Sequence, residues 1–220
     1  MKMLSTVVSA GCVSAALVLS TSTLQAQGNL LTDPSFESGA FAQPNPIPVP
    51  GGAGGGWAQF GASFTTAAAR TGTYSVQISD NSWNPQGLYQ LLTAAPGQTF
   101  DLSAYYMSPN PSVSGYATPA LVQISFLDNT GTAIANQAYG NWLGLGAANT
   151  WVQSPTVVAT APAGTAYVAA YLMMMDNNAA NGLNFYFDDA SLTNPSVPEP
   201  ASFALLGMGL LGALLLRRKA

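Results

Sequence analysis

Carboxylates are the main reactive chemistry this sequence offers. Histidine is absent, and the one cysteine, Cys12, lies in an apolar N-terminal stretch. That removes most hydrolase triads and the usual transition-metal ligand sets. The most conspicuous acids are the adjacent Asp188 and Asp189 in "FYFDDASL". Neighbours on a strand point to opposite faces, so this pair does not flank one glycosidic bond at the roughly 5–9.5 Å that glycosidases use. Nothing marks a distant acid as partner for either, and no catalytic residue is expected. A hard cation is a better use for one of them, because Ca²⁺ takes carboxylate and carbonyl oxygens and the middle of the chain has no lysine to compete. The competing reading is a solvated carboxylate that caps a turn.

The second chemistry is aromatic. Trp83 in "DNSWNPQG" and Trp142 in "YGNWLGLG" read as residues of polar, Gly-rich loops. An exposed ring there stacks on the apolar face of a pyranose while Asn, Gln and Asp bond its hydroxyls, as small-molecule clefts do generally. Alternatively, each Trp closes an end of the core. Tyr89 and Tyr105 are secondary candidates of the same kind.

These side chains have to be carried by strands. "TYSVQIS", "TFDLSAY" and "LVQISF" alternate apolar and polar residues with period two, the pattern of half-buried strands. Further strands are expected in 88–93, 151–160, 165–173 and 184–192. Turns fall at Pro96-Gly97, at Asp128–Gly131 and at Ala161–Gly164. No stretch of the middle has a helical stripe with caps. Many short strands with Gly/Pro turns predict an all-β fold, a β-sandwich jelly roll, over 27–196. "QPNPIPVPGGAGGGW" reads as one long surface loop within that domain.

The two ends carry different information. Lys2, an apolar run over 4–19 and Leu24 and Ala26 before Gln27 have the parts of a secretory signal peptide, 1–26. Its removal takes Cys12 with it. Five basic residues occur in all, and Arg70 alone lies between the apolar ends, against nine acids. Nucleic-acid binding needs clustered Lys and Arg and is excluded. The run from Ala201 to Leu216 is uncharged and 16 residues long, near the lower limit of about 17 for a span. Arg217 and Arg218 extend it by snorkelling, so a membrane-inserted helix over about 201–216 is expected.

Pro198, Glu199 and Pro200, the apolar helix and the terminal Arg217, Arg218 and Lys219 resemble the PEP-CTERM sorting signal of Gram-negative bacteria, here 197–220. The resemblance implies a partner, exosortase, an integral membrane cysteine peptidase that cuts near Pro-Glu-Pro, with the helix as temporary anchor. It also implies a cell-surface or extracellular destination. The middle resembles galactose-binding-like jelly rolls of the carbohydrate-binding-module type. That likeness is carried by Asn29, Phe36, Glu37 and Gly39, then Trp57, Gly72, Ser75, the Pro-Gly turn and "FYFDDASL". It implies core roles for Trp57 and Trp151. It also implies a structural calcium, with Glu37 and one of Asp188 or Asp189 as side-chain ligands and carbonyls near Gly72. Two functions remain open at this point: a non-catalytic module binding polysaccharide (an exopolysaccharide), and a structural matrix protein without a specific ligand.

Overall fold

A computed structural model describes residues 28–41, 56–79, 85–109, 120–144, 146–174 and 183–195, with backbone alone for 135–138. Eleven strands form: β1 (Ala58–Phe60), β2 (Ala62–Thr65), β3 (Ser75–Ser79), β4 (Gln86–Thr93), β5 (Thr99–Met107), β6 (Ala120–Leu127), β7 (Ala133–Leu143), β8 (Val152–Gln153), β9 (Val157–Thr160), β10 (Tyr167–Met174) and β11 (Asn184–Thr193). One sheet has the order β1-β4-β10-β6-β7. The other has β2-β3-β11-β5-β8, with β9 also pairing β5. All strand pairs are antiparallel. The chain passes repeatedly from one sheet to the other, which makes a sandwich of the jelly-roll kind.

The alternation read from the sequence selects the inner faces. Val76, Ile78, Phe100, Leu102, Ala104, Val122, Ile124 and Phe126 all enter one buried core. Phe36 and Trp57 join it, with ring centroids 5.2 Å apart, and the Trp57 indole donates to the Asp33 carbonyl at 2.9 Å. Trp57 is therefore core, as expected, whereas Trp151 is half-buried and outside that cluster. The strand expected over 151–160 is two strands. Pro155 interrupts it, since proline lacks the ladder donor. Ser154 bridges the gap, its N–H donating to the Ala104 carbonyl at 2.9 Å and its hydroxyl accepting from the Ala104 N–H at 3.1 Å.

Both ends of the domain are stitched together. Asn29 donates from its amide to the Ala190 carbonyl at 2.7 Å and accepts from the Leu192 N–H at 3.0 Å. Leu30 donates to the Leu192 carbonyl at 2.8 Å. Thr193 pairs with Asp101 near the start of β5, so the chain leaves at the end of the sandwich where β4 turns into β5. The opposite end carries the row Gln86, Met174, Ala120 and Leu143. The seven residue-to-residue steps of β4 (Gln86–Thr93) separate the two ends by roughly 23 Å at about 3.3 Å per residue.

Among the described residues every element is a strand, and no helix there is long and apolar enough to cross a membrane. The expected signal peptide, the segment 197–220 with its helix, and Trp83 lie outside the described residues.

Candidate functional site

The outer face of the five-stranded sheet is assembled by register. Phe60 lies opposite Gly87, Tyr171 opposite Tyr89 and also opposite Gln123. Gln123 lies opposite Gly140, and Leu121 opposite Trp142. Directly paired residues share a face, so all of these side chains project to the same side, away from the core. Phe60, Tyr89 and Tyr171 form a ring cluster with centroids 5.5–6.4 Å apart, within the range of favourable tilted and edge contacts. Tyr89 is the floor, 2% exposed; Phe60 and Tyr171 are half-buried around it. At the other side of the face Trp142 is 51% exposed. Gly140, also exposed, lets the Leu121 side chain lie against the backbone beside Trp142, because a Cβ there would meet Leu121 Cδ1 at 2.8 Å.

The polar groups on this face are neutral. The Tyr89 hydroxyl is buried and has no hydrogen-bond partner among the described residues, a condition that costs about 1–3 kcal/mol until a partner is supplied. Burial raises its pKa. Burial, and then the neighbouring Tyr89, push the Tyr171 phenol up to about 12. Both rings therefore stay protonated across physiological pH. The Gln123 amide, half-buried, donates to the Ser125 hydroxyl at 2.8 Å.

The carboxylates singled out from the sequence stand elsewhere, around the loop Arg70–Tyr74 beside the six-stranded sheet. Asp188, wholly buried, accepts from the Arg70 and Thr71 N–H groups at 2.8 and 3.2 Å and from the Asp189 N–H at 2.7 Å. Burial raises its pKa and these three donors oppose the rise. Asp189 accepts from the Arg70 guanidinium at 2.5 Å and from the Thr71 hydroxyl at 2.7 Å. Glu37 accepts from the Thr73 and Tyr74 N–H groups at 2.9–3.0 Å. Three acids thus hold one short loop.

This corrects the expectation that Asp188 and Asp189 point to opposite faces. A register shift follows Asp188, and Asp189 has φ 44, so the strand alternation breaks and both carboxylates turn to the same two residues. The donor set fits a hard cation in part. Glu37 and Asp188 present oxygens to the same loop, at whose centre Gly72 has φ +63 and faces the Glu37 carboxyl. Asp189 does not fit, because Arg70 neutralises it; the competing cation is this arginine. Among the described residues no three His, Cys, Asp or Glu side chains gather as a metal set. Arg70 also lies over the Tyr105 ring, 3.4 Å from its centroid. Tyr105 is thereby covered on the outer face of the six-stranded sheet.

Trp142 proves to be a strand residue and not a loop residue. Its exposure comes from its place on the edge strand β7. Phe60, Gln123 and Tyr171 escaped sequence reasoning. The signal present was the outward-facing aromatic or apolar residues of strands that alternation would leave polar, such as Tyr89, Leu91 and Tyr171.

Residues 196–219 match the PEP-CTERM protein-sorting motif, which indicates export and exosortase-dependent delivery to the surface of a bacterial cell. No curated protein matches the chain. Among solved structures, a protein of Bacteroides thetaiotaomicron named for sugar binding aligns with TM-score 0.53 and 13% identity, over 76% of this chain and 99% of that one. A family 61 carbohydrate-binding module in complex with β-1,4-galactotriose aligns with TM-score 0.50 and 14% identity, over the same 76% and 99%. The enzymatically active domain of tailspike protein 4 of bacteriophage CBA120 aligns with TM-score 0.52 and 16% identity, over 74% of this chain and 21% of that chain. At these identities the likeness is one of fold: the jelly roll of carbohydrate-binding modules.

Proposed function

We propose that the domain binds carbohydrate without catalysis, on the outer face of the five-stranded sheet. The observation that carries this reading is the half-exposed Trp142 on the same face as the Phe60–Tyr89–Tyr171 cluster. Sugar rings have apolar faces and polar edges, and this surface offers stacking rings beside an amide and neutral phenols. The buried Tyr89 hydroxyl, without a partner among the described residues, adds a group that gains from a ligand hydroxyl or a water bridging to one.

In this proposal the protein is exported across the inner membrane of a Gram-negative bacterium. The segment 201–216 holds it in the membrane until exosortase cuts near Pro198-Glu199-Pro200, and the product meets exopolysaccharide at the cell surface or outside. The geometry suits that route, because the chain leaves the sandwich at the end opposite the row that holds Leu143. Trp142 therefore lies near the end of the sandwich opposite Thr193. Calcium enters the proposal through Glu37 and Asp188 alone, where it would supply positive charge between two acids that grip one loop.

The test is retention of the purified protein by immobilised polysaccharides, with Trp142→Ala beside it. Retention that depends on Trp142 supports the proposal. No retention by any glycan leaves a matrix protein without a specific ligand.

A further inference from the structure

The charges of this domain are segregated between its two sheets. None of the five strands of the aromatic sheet contains Asp, Glu, Lys or Arg. The six-stranded sheet carries Asp101, Asp188 and Asp189, and Arg70 is tied there to Asp189 and Tyr105. From residue 71 to residue 216 the sequence has no lysine or arginine at all, so the loops bordering the aromatic face add no cation either. A polyanionic glycan would approach a surface with no basic group to receive it and a domain with a large excess of acid. A cationic glycan would need a carboxylate on the face to anchor it, and the strands hold none.

The second observation is the spread of the rings. Tyr171 and Trp142 are separated by two strand spacings and two residues along the strand. At about 4.8 Å per strand and 3.3 Å per residue that is roughly 12 Å, longer than one pyranose ring. A single sugar cannot touch both.

Resting on the carbohydrate reading above, we infer that the ligand is an uncharged glycan chain held along several consecutive sugar units, not a uronate-bearing polymer and not a single sugar. Stacking and neutral hydrogen bonds carry the interaction, and salt therefore leaves it unchanged, unlike contacts between exposed charges.

The experiment is native affinity electrophoresis of the purified protein through gels containing neutral glucan, galactan or mannan, each beside the same polymer oxidised to the C6 carboxylate, with alginate as a natural polyuronate. Retention by at least one neutral polymer is expected, unchanged between about 50 and 500 mM salt, with loss of retention on its oxidised form. Retention by the oxidised forms or alginate that weakens with salt overturns the inference while leaving carbohydrate binding standing. Retention by nothing removes the carbohydrate reading and this inference with it. Calorimetry with oligosaccharides of the retained polymer tests the length: an affinity for the hexasaccharide at least tenfold above that for the monosaccharide is expected. Equal affinities overturn the extended-chain part.

Discussion

Replacing Trp142 by alanine separates the binding role proposed for this ring from its packing role. A large aromatic side chain presents up to about 250 Å², and Trp142 leaves 51% of its surface exposed. A sugar stacked on one ring face covers about half of that remainder, on the order of 60 Å², worth about 1.5 kcal/mol at 25 cal/mol per Å². The variant is expected to bind a retained polysaccharide about tenfold more weakly. The buried half of the ring packs beside Leu121, and its loss costs on the order of 3 kcal/mol as an upper figure. A domain stable by about 5–15 kcal/mol survives that, with a melting temperature lower by at most about 6–12 °C. Calorimetric titration gives the affinity, and thermal unfolding followed by circular dichroism gives the stability. Trp142→Phe should recover most of the affinity, since a ring face remains. Val158→Ala removes a side chain that is 59% exposed on the other sheet and should change neither. Binding by Trp142→Ala within twofold of the parent would refute stacking on this ring, and unfolding of the variant would make the ring a core residue.

Three further outcomes are expected. Gly72→Ala places a methyl group against the Glu37 carboxyl at φ +63 and should destabilise the domain by about 2 kcal/mol or more; an unchanged melting temperature would show that the loop does not depend on this close approach. If Glu37 and Asp188 bridge through Ca²⁺, chelation should lower the melting temperature by linkage and Glu37→Gln should cancel the difference, whereas identical curves in metal-stripped and calcium-loaded protein would leave the acids holding the loop alone. Intact-mass spectrometry of protein recovered from the cell envelope or medium should show loss of residues 1–26 and of the segment from Phe203 onward; a full-length C-terminus on stably exported protein contradicts processing at Pro-Glu-Pro.

Local pattern was enough for the inner half of each strand. Val76 and Ile78, or Phe100, Leu102 and Ala104, announce themselves because a strand alternates faces and one face must be buried. The same logic broke at Asp189, where a left-handed backbone redirects a side chain that simple alternation assigned to the other face. Nothing in "FYFDDASL" signals that bulge; it arises where the end of β11 also accommodates the segment at Pro34, whose carbonyl receives the Ala190 N–H at 2.8 Å.

The sequence by itself determined the address and the fold class. The Pro-Glu-Pro element before an apolar run and the period-two alternation between turns are both local, and local chemistry decides them. Only the tertiary structure brought together the surface proposed here to meet a ligand. Phe60, Tyr89, Gln123, Trp142 and Tyr171 come from five strands scattered over more than one hundred residues, and they share a surface because of the strand order β1-β4-β10-β6-β7. That order is set by long-range pairing, in which each strand chooses neighbours by burying its inner face; the outer face is a consequence of that choice and leaves no mark in any single segment.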